Sequence, residues 1–263
     1  MFVDSHCHLE MESYKKDRDE VIKRAIDGGV LYILTVATEE KYFQTVSELT
    51  KKFKNLFGAI GIHPHNSIQL NDHTEKAIKE YLNKNKKIVA YGEIGLDFFK
   101  NYSPHNIQRE TFIRQVFLAK DFALPIIIHS REAKEDTLKI LKDAKATTGV
   151  IHCYSYNKEY AKKFLDLGFY ISISGTLTYG KKQDTIDVVR YIPMDRLLSE
   201  TDAPFLAPVL FRGKRNEPLY VKYTVETIAQ LKGISIEEVK IAIFENFKNL
   251  FLKNLNIMEG DNQ

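Results

Sequence analysis

The sequence is poor in cysteine and has no tryptophan: two cysteines stand among 263 residues. Two cysteines cannot build the disulfide framework of a small secreted protein, so they favour a reducing compartment. No apolar run approaches the roughly 18 residues that a membrane-spanning helix needs. The N-terminus also lacks a basic start followed by an apolar stretch, which is the pattern of a secretory signal. We therefore expect a soluble cytoplasmic protein.

Strong charge and low-complexity tracts are absent as well. The 38 basic and 35 acidic residues leave a net charge of +3, which is too small to indicate a nucleic-acid-binding protein by itself. A hydrophobic content of 44% excludes a disordered chain. Since no stretch rich in proline, glycine or serine divides the sequence, we expect a single domain over residues 1–263.

Short β-branched or aromatic runs alternate with longer segments of helical period. This alternation is typical of parallel β–α–β units. Eight runs predict one (β/α)8 barrel of the α/β class, with a doubly wound open sheet as the alternative. The candidate strands are Phe2–Val3, Val30–Val36, Phe57–Ile62, Ile88–Tyr91, Ile126–Ile128, Val150–Ile151, Phe169–Ile173 and Leu197–Leu198.

The helical segments are predicted from their apolar faces. Between residues 107 and 123 one face is expected to be buried, formed by Ile107, Phe112, Val116, Phe117 and Ala123, with Gln108, Arg109, Arg114 and Lys120 elsewhere. Near the C-terminus, Leu219–Leu255 is expected to form helices that close the barrel, and Met258–Gln263 a frayed tail.

Imidazole and carboxylate side chains follow six of the candidate strands. They lie in Asp4–His8, Gly61–His65, Gly92–Asp97, His129–Arg131, His152–Tyr154 and Ser199–Asp202. In a barrel the carboxyl ends of all strands share one face, and active sites lie on that face. We therefore expect these residues, which are far apart in sequence, to meet in one cavity.

The pattern of these side chains predicts a metal centre. His6 and His8 point to the same side of a strand and Cys7 to the other. Four histidines with Glu93 and Asp202 exceed the three or four protein ligands of one catalytic zinc, so two cations about 3.5–4 Å apart are predicted. The assignment places His6, His8 and Asp202 on one ion, His129 and His152 on the other, and Glu93 between them. The ion itself is left open as Mg, Mn or Zn.

The sequence resembles the TatD family of metal-dependent deoxyribonucleases, within the amidohydrolase superfamily. The resemblance rests on Asp4–Leu9, Gly61–His65, Gly92–Phe98, His129–Arg131, His152–Ser155 and Glu200–Pro204, and it covers essentially the whole chain in order. It implies a distorted (β/α)8 barrel in which His6, His8, Glu93, His129, His152 and Asp202 are the metal ligands. One position departs from the family pattern, since Tyr156 stands where the family usually has glycine. A side chain there is expected to narrow the pocket or to add a stacking surface.

Other residues receive candidate roles. Asp202 is the candidate to accept the proton of the attacking water, with Glu93 as the shared carboxylate. His63 is placed on a phosphate oxygen or the leaving group, with a structural His–Pro turn as the alternative. Candidate phosphate-binding residues are Arg131, Arg212, Arg215 and Asn216, although a solvated charged loop would explain the last three equally well. Asp97 and Glu200 are expected to orient ligands. Base-stacking candidates are Phe98, Tyr102, Tyr154, Tyr156, Phe205 and Phe211.

Three functions fit the sequence. The leading hypothesis, implied by the resemblance, is a nuclease that trims DNA from a free 3′ end, with single-stranded or frayed DNA as the substrate. The second is an amidohydrolase-type enzyme acting on lactones, amides or small phosphate esters. The third is a nucleic-acid-binding barrel with structural metals, which the size of the ligand set disfavours. Neither a membrane nor an obligate protein partner is expected.

Overall fold

A computed structural model describes residues 1–180, 183–253 and 255 of the chain. Its strands are β1 (Phe2–Cys7), β2 (Val30–Ala37), β3 (Leu56–Ile60), β4 (Ile88–Asp97), β5 (Ile126–Arg131), β6 (Gly149–Ile151), β7 (Tyr170–Ile173) and β8 (Leu197–Ser199). Its α-helices are α1 (Arg18–Asp27), α2 (Phe43–Lys52), α3 (Asp72–Lys84), α4 (His105–Asp121), α5 (Lys134–Asp143), α6 (Lys158–Asp166), α7 (Gln183–Tyr191), α8 (Val221–Lys232) and α9 (Ile236–Phe247).

The eight strands form one parallel sheet in the order β1 to β8. Side chains join β1 to β8: Ser5 Oγ donates to the Ser199 carbonyl at 2.9 Å, and Ser199 Oγ donates to the Val3 carbonyl at 3.0 Å. A bridge between Cys7 and Ala203 continues this seam. The predicted barrel is confirmed, and the doubly wound alternative is wrong because a sequential strand order contains no reversal.

Two strands run further than their apolar residues predict. All ten residues of β4 are buried, including the polar ones at its carboxyl end. On β1 the strand continues through Asp4, whose carboxylate accepts hydrogen bonds from the Thr201 backbone N–H at 2.9 Å and the Thr201 hydroxyl at 2.6 Å. Buried polar residues are stable in a strand when partners inside the barrel satisfy their hydrogen bonds.

Helix α4 buries a face that only partly overlaps the predicted one. Gln108 and Gln115 are fully buried beside Phe112 and Val116, whereas Phe117 is half exposed. The side-chain amide of each glutamine pairs with the backbone at the end of a strand. Gln115 accepts from the Ile62 N–H at 2.8 Å and donates to the Ile62 carbonyl at 2.9 Å. Gln108 accepts from the Asp97 N–H at 2.8 Å and donates to the Asp97 carbonyl at 3.0 Å. Because Gln115 provides these bonds, β3 ends at Ile60 instead of the predicted Ile62. A hydrophobicity pattern does not reveal glutamines used in this way.

The C-terminal segment forms helices, as predicted. Helix α9 starts with a capping box, in which Ser235 and Glu238 satisfy each other's backbone N–H groups. Helix α9 packs on β1 and β8 and so covers the seam of the barrel. The expected tail Met258–Gln263 lies outside the described residues. Among the helices that the structure describes, none combines the length and the apolar character that crossing a bilayer requires.

Candidate metal centre

The carboxyl ends of the strands bring the six predicted ligands into one cluster. His6, Glu93 and His129 lie on β1, β4 and β5. His8 and His152 follow β1 and β6 directly, and Asp202 lies three residues after the end of β8. His6, His8, Glu93 and His152 are buried, and His129 and Asp202 are partly exposed. The barrel thus unites residues that are almost two hundred positions apart, because parallel strands end on one rim.

Glu93 stands at the middle of this cluster and divides it in two. Its Oε2 lies 3.4 Å from His6 Nε2 and 3.7 Å from His8 Nε2. Its Oε1 lies 2.8 Å from both His129 Nδ1 and His152 Nε2. Oε2 therefore faces the two histidines of the β1 segment, whereas Oε1 faces His129, His152 and, at 3.3 Å, His63 Nε2. A carboxylate shared between two sites has its oxygens divided in this way.

Asp202 completes the first of these groups. Its Oδ1 lies 3.3 Å from His8 Nε2 and 3.8 Å from His6 Nε2. The Asp202 backbone adopts φ +54°, in the left-handed region, and its N–H donates to the His6 carbonyl at 2.9 Å. This hydrogen bond ties the loop after β8 to β1, so the carboxylate is held over the two histidines.

The donor spacing in each group fits a shared cation. Two ligands at about 2.1 Å from one tetrahedral ion lie about 3.4 Å apart. His6 Nε2 and His8 Nε2 are 3.3 Å apart, and His129 Nδ1 and His152 Nε2 are 3.4 Å apart. Of the donors present, the imidazoles suit zinc, and the carboxylates suit manganese and magnesium.

Further polar groups fix the orientation of the ligand rings. Asp97 Oδ2 lies 3.0 Å from His129 Nε2, which turns Nδ1 toward Glu93. Glu200 Oε1 lies 3.4 Å from His152 Nδ1 without a hydrogen bond between them, and Ser172 donates to the other oxygen of Glu200. Asp97 and Glu200 thus occupy the orienting positions that the sequence predicts for them, since the second nitrogen of a metal-binding histidine usually meets a carboxylate or carbonyl.

Glu10 is an orienting residue that the sequence analysis missed. His8 Nδ1 lies 2.8 Å from the Val36 carbonyl and 3.3 Å from Glu10 Oε1. The Glu10 carboxylate is buried and accepts from the Thr35 hydroxyl at 2.8 Å. Glu10 follows His8 by two residues, which is the one sequence signal that could have identified it.

The charges of the centre are strongly coupled. Burial alone would raise the pKa of Glu93, but His152, His63 and His129 hold that pKa well below its usual range. Burial alone would lower the pKa of His152, but Glu93 and Glu200 raise it well above the usual value. Glu93 is therefore charged, and protons on His129 and His152, whose pKa values are both raised, balance its charge when no cation is bound.

His63 faces the second group as a hydrogen-bond donor. Its Nε2 lies 3.3 Å from Glu93 Oε1, and its Nδ1 accepts the His65 backbone N–H at 3.1 Å. Burial lowers the pKa of His63 to about 4, although Glu93 opposes this. A neutral ring whose Nδ1 is an acceptor carries its proton on Nε2, so this nitrogen has no lone pair for a cation.

The predicted phosphate-binding residues fall into two classes. Arg215 pairs with Asp17 through both terminal nitrogens, and the buried Asn216 amide donates to the Thr201 and Phe205 carbonyls at 2.9 and 2.6 Å. In these contacts the terminal nitrogens of Arg215 and the amide nitrogen of Asn216 support the loop after β8. Arg131 and Arg212 make no ion pair within the described residues and lie over aromatic rings.

The predicted stacking aromatics also divide. Tyr102 and Phe205 are 66% and 50% exposed at the barrel mouth, and the Phe205 ring lies 6.1 Å from the His8 ring. The others pack within the chain: Phe98 stacks on His105, Phe211 stacks on Tyr220, Tyr154 is buried, and Tyr156 is hydrogen-bonded. Phe99, which the sequence analysis did not select, is 48% exposed.

Comparison with known proteins gives one consistent family. Residues 3–252 match the family model described as TatD related DNase. The chain is 43% identical over 256 residues to the uncharacterized metal-dependent hydrolase YabD of Bacillus subtilis, covering 97% of this chain and all of that one. It is 40% identical to YcfH of Escherichia coli, also named an uncharacterized metal-dependent hydrolase, over 95% of both chains. The crystal structure of the Escherichia coli TatD homolog YjjV superposes with a TM-score of 0.91 at 32% identity, covering 95% of this chain and 98% of that one.

Proposed function

Because the chain belongs to the TatD family of metal-dependent hydrolases, we propose that it is a deoxyribonuclease that hydrolyses phosphodiester bonds and removes nucleotides from a free 3′ end. The description of the matching family as DNases supports the nuclease activity. The 3′ polarity rests on the sequence resemblance. We also propose that the enzyme is cytoplasmic. The two free thiols, Cys7 and Cys153, support this location because free thiols are typical of reducing compartments.

The observation that carries the proposal is the division of donors by Glu93. One oxygen faces His6 and His8 and the other faces His129 and His152, which is the arrangement for two divalent cations of Mg, Mn or Zn. Bound cations of this kind supply Lewis acidity that activates a water and neutralises charge on a phosphate.

The protein's own residues have separate tasks in this reaction. Asp202 is the most exposed carboxylate of the cluster, with 14% of its side chain accessible, and it accepts the proton of the attacking water. His63 Nε2–H donates to a phosphate oxygen or to the leaving oxygen. Since its pKa is about 4, this donor is present throughout the neutral pH range.

The depth of the centre supports a single-stranded or frayed DNA substrate. The carboxylate of Glu93 and the rings of His6, His8 and His152 are almost inaccessible below the rim. A free end of a single strand can enter such a site, whereas a continuous duplex would have to bring its phosphates below the level of the loops. Binding therefore favours an end that is already unpaired.

End-labelled DNA tests the proposal. The chelator-stripped protein is incubated with a single-stranded oligonucleotide labelled at its 5′ or its 3′ end, with Mg²⁺, Mn²⁺ or Zn²⁺, beside Glu93→Ala and Asp202→Ala. We expect EDTA-sensitive loss of nucleotides from the 3′ end, abolished in both variants. Intact DNA together with rapid turnover of a lactone or amide panel would contradict the proposal in favour of a small-molecule hydrolase. Salt-sensitive DNA binding without turnover would contradict it in favour of a binding protein.

A further inference from the structure

Arg131, like Arg212, forms no ion pair or side-chain hydrogen bond within the described residues. The other arginines away from the barrel mouth donate to carboxylate or carbonyl oxygens, as Arg109 does to Asp136 and Arg114 to Glu75. Within the described residues Arg131 makes no ion pair and instead lies 3.9 Å from the centroid of the Phe99 ring. An exposed cation placed on an exposed aromatic ring is a surface suited to a nucleotide, which offers both a phosphate and a flat base.

Arg131 and Phe99 are linked to the metal centre through β5 and through the Asp97 carboxylate. Arg131 follows His129 by two residues on β5. The Asp97 carboxylate accepts the Phe99 N–H at 3.0 Å through Oδ1, while its Oδ2 orients His129. One carboxylate therefore sets the position of both the ligand ring and the aromatic ring. Lys100, 5.5 Å from the Phe99 centroid, adds a second cation there.

Tyr156 holds the turn that carries Arg131. Its hydroxyl lies 2.9 Å from Ser130 Oγ and accepts the Ala133 N–H at 3.2 Å, so it contacts the residues on both sides of Arg131 and Glu132. Glu132 has φ +53°, a left-handed conformation that a non-glycine residue adopts only when its surroundings enforce it. A glycine at position 156 would provide no such contact.

We propose that the Phe99–Arg131 pair is the subsite for the nucleotide adjoining the scissile phosphate, and that Tyr156 is a positioning residue that keeps Arg131 on Phe99. The Arg131 guanidinium binds the backbone phosphate and the exposed part of Phe99 stacks on the base. The occupant is single-stranded DNA, so this inference rests on the proposed nuclease function and specifies how that substrate is held.

Substitutions separate this subsite from the chemistry. Phe99→Leu removes the aromatic ring, Phe99→Trp is the matched variant that retains one, Arg131→Gln removes the charge, and Tyr156→Phe removes only the hydroxyl. Each is assayed with a fluorescein-labelled oligothymidylate and with methyl 4-nitrophenyl phosphate, a diester too small to span the centre and Phe99 together. Binding of the oligonucleotide is also measured by anisotropy in the Asp202→Asn background, where proposed turnover is lost.

We expect Phe99→Leu and Arg131→Gln to raise KM and Kd for the oligonucleotide about tenfold or more, and to lower kcat/KM for the oligonucleotide by a larger factor than for the small diester. Phe99→Trp keeps wild-type binding. Arg131→Gln, unlike Phe99→Leu, lowers by about one the slope of the logarithm of Kd for the oligonucleotide against the logarithm of salt concentration. Tyr156→Phe weakens oligonucleotide binding less than Arg131→Gln does, and the double variant binds no worse than Arg131→Gln alone, as expected for residues that act together.

Two outcomes separate a failure of the proposed subsite from a failure of the proposed nuclease function. If the wild-type protein cuts DNA but Phe99→Leu and Arg131→Gln bind the oligonucleotide as tightly as wild type, the subsite is overturned while the nuclease stands. If the wild type cuts no DNA, the proposed function fails, whereas oligonucleotide binding that still depends on Phe99 and Arg131 would support the subsite as a nucleic-acid contact.

Discussion

At the scale of single residues, the sequence indicates which side chains belong to the candidate site. It does not indicate which of their atoms donate and which accept hydrogen bonds. His63 illustrates the difference. Its place after a strand indicates a site residue, yet only the His65 N–H on its Nδ1 shows which nitrogen carries the proton. Such a contact depends on the turn geometry of Pro64–Gln69, which no periodicity in the sequence specifies.

The role of His63 is testable with His63→Phe, which keeps a flat ring and removes the donor. Because a proton on Nε2 would leave no lone pair for a cation, we expect metal content to stay at the wild-type level while kcat falls about 10²- to 10³-fold, as for other lost donors to a developing charge. His73→Phe, at an exposed position, is the matched control and leaves both quantities unchanged. Loss of a bound ion in His63→Phe would show instead that the ring is a ligand.

The coupled charges of the centre predict how cation affinity depends on pH. Burial would lower the pKa of His8, but Asp202 and Glu10 raise it well above the usual value, and His152 behaves likewise. These imidazoles therefore carry protons at neutral pH in the metal-free protein, and a cation must displace them. Affinity for Mn²⁺ should rise with pH, about tenfold per pH unit for each proton displaced.

Titration calorimetry in buffers of different ionisation enthalpy measures that proton release. Glu10→Gln removes one of the carboxylates that stabilise the His8 proton, so we expect fewer protons released and a shallower rise of affinity with pH. Affinity that does not change between pH 6 and 8, with no protons released, would contradict the charge distribution described for this centre.

At the scale of elements, strand and helix identity followed from hydrophobic alternation, whereas their limits depended on polar partners. Strands β1 and β4 continue through charged residues because the barrel interior satisfies them, and β3 stops early because a glutamine takes over its pairing. The part of the α4 face that was predicted wrongly has the same cause. Gln108 and Gln115 look like surface residues by composition but are fully buried.

The clamp on β3 is testable with Gln115→Leu. The substitution keeps the side-chain volume but leaves the buried N–H and carbonyl of Ile62 without partners. We expect the free energy of unfolding to fall by about 2–6 kcal/mol, since each of the two unsatisfied buried groups costs about 1–3 kcal/mol. Gln44→Leu, at an exposed position on α2, is the control and should change stability by less than about 0.5 kcal/mol. Equal denaturation midpoints for the two variants would contradict the clamp.

At the scale of the whole molecule, the barrel converts six scattered sequence segments into one cluster. The prediction that these segments would meet required only a parallel, sequentially ordered sheet, because such a sheet places every carboxyl end on one rim. Finer features needed the structure. Glu10, Phe99 and the contacts of Tyr156 involve residues brought together by loops, and loop conformation does not follow from alternation.

The central claim is that Glu93 is shared between two cations. Its most direct test is the metal content and anomalous scattering of the chelator-stripped protein after reconstitution with excess Mn²⁺. We predict two ions per chain about 3.5–4 Å apart on either side of Glu93, and a sharp loss of affinity in Glu93→Gln, whose amide offers one oxygen instead of two. A single ion at saturation, or two ions bound with wild-type affinity by Glu93→Gln, would contradict this account.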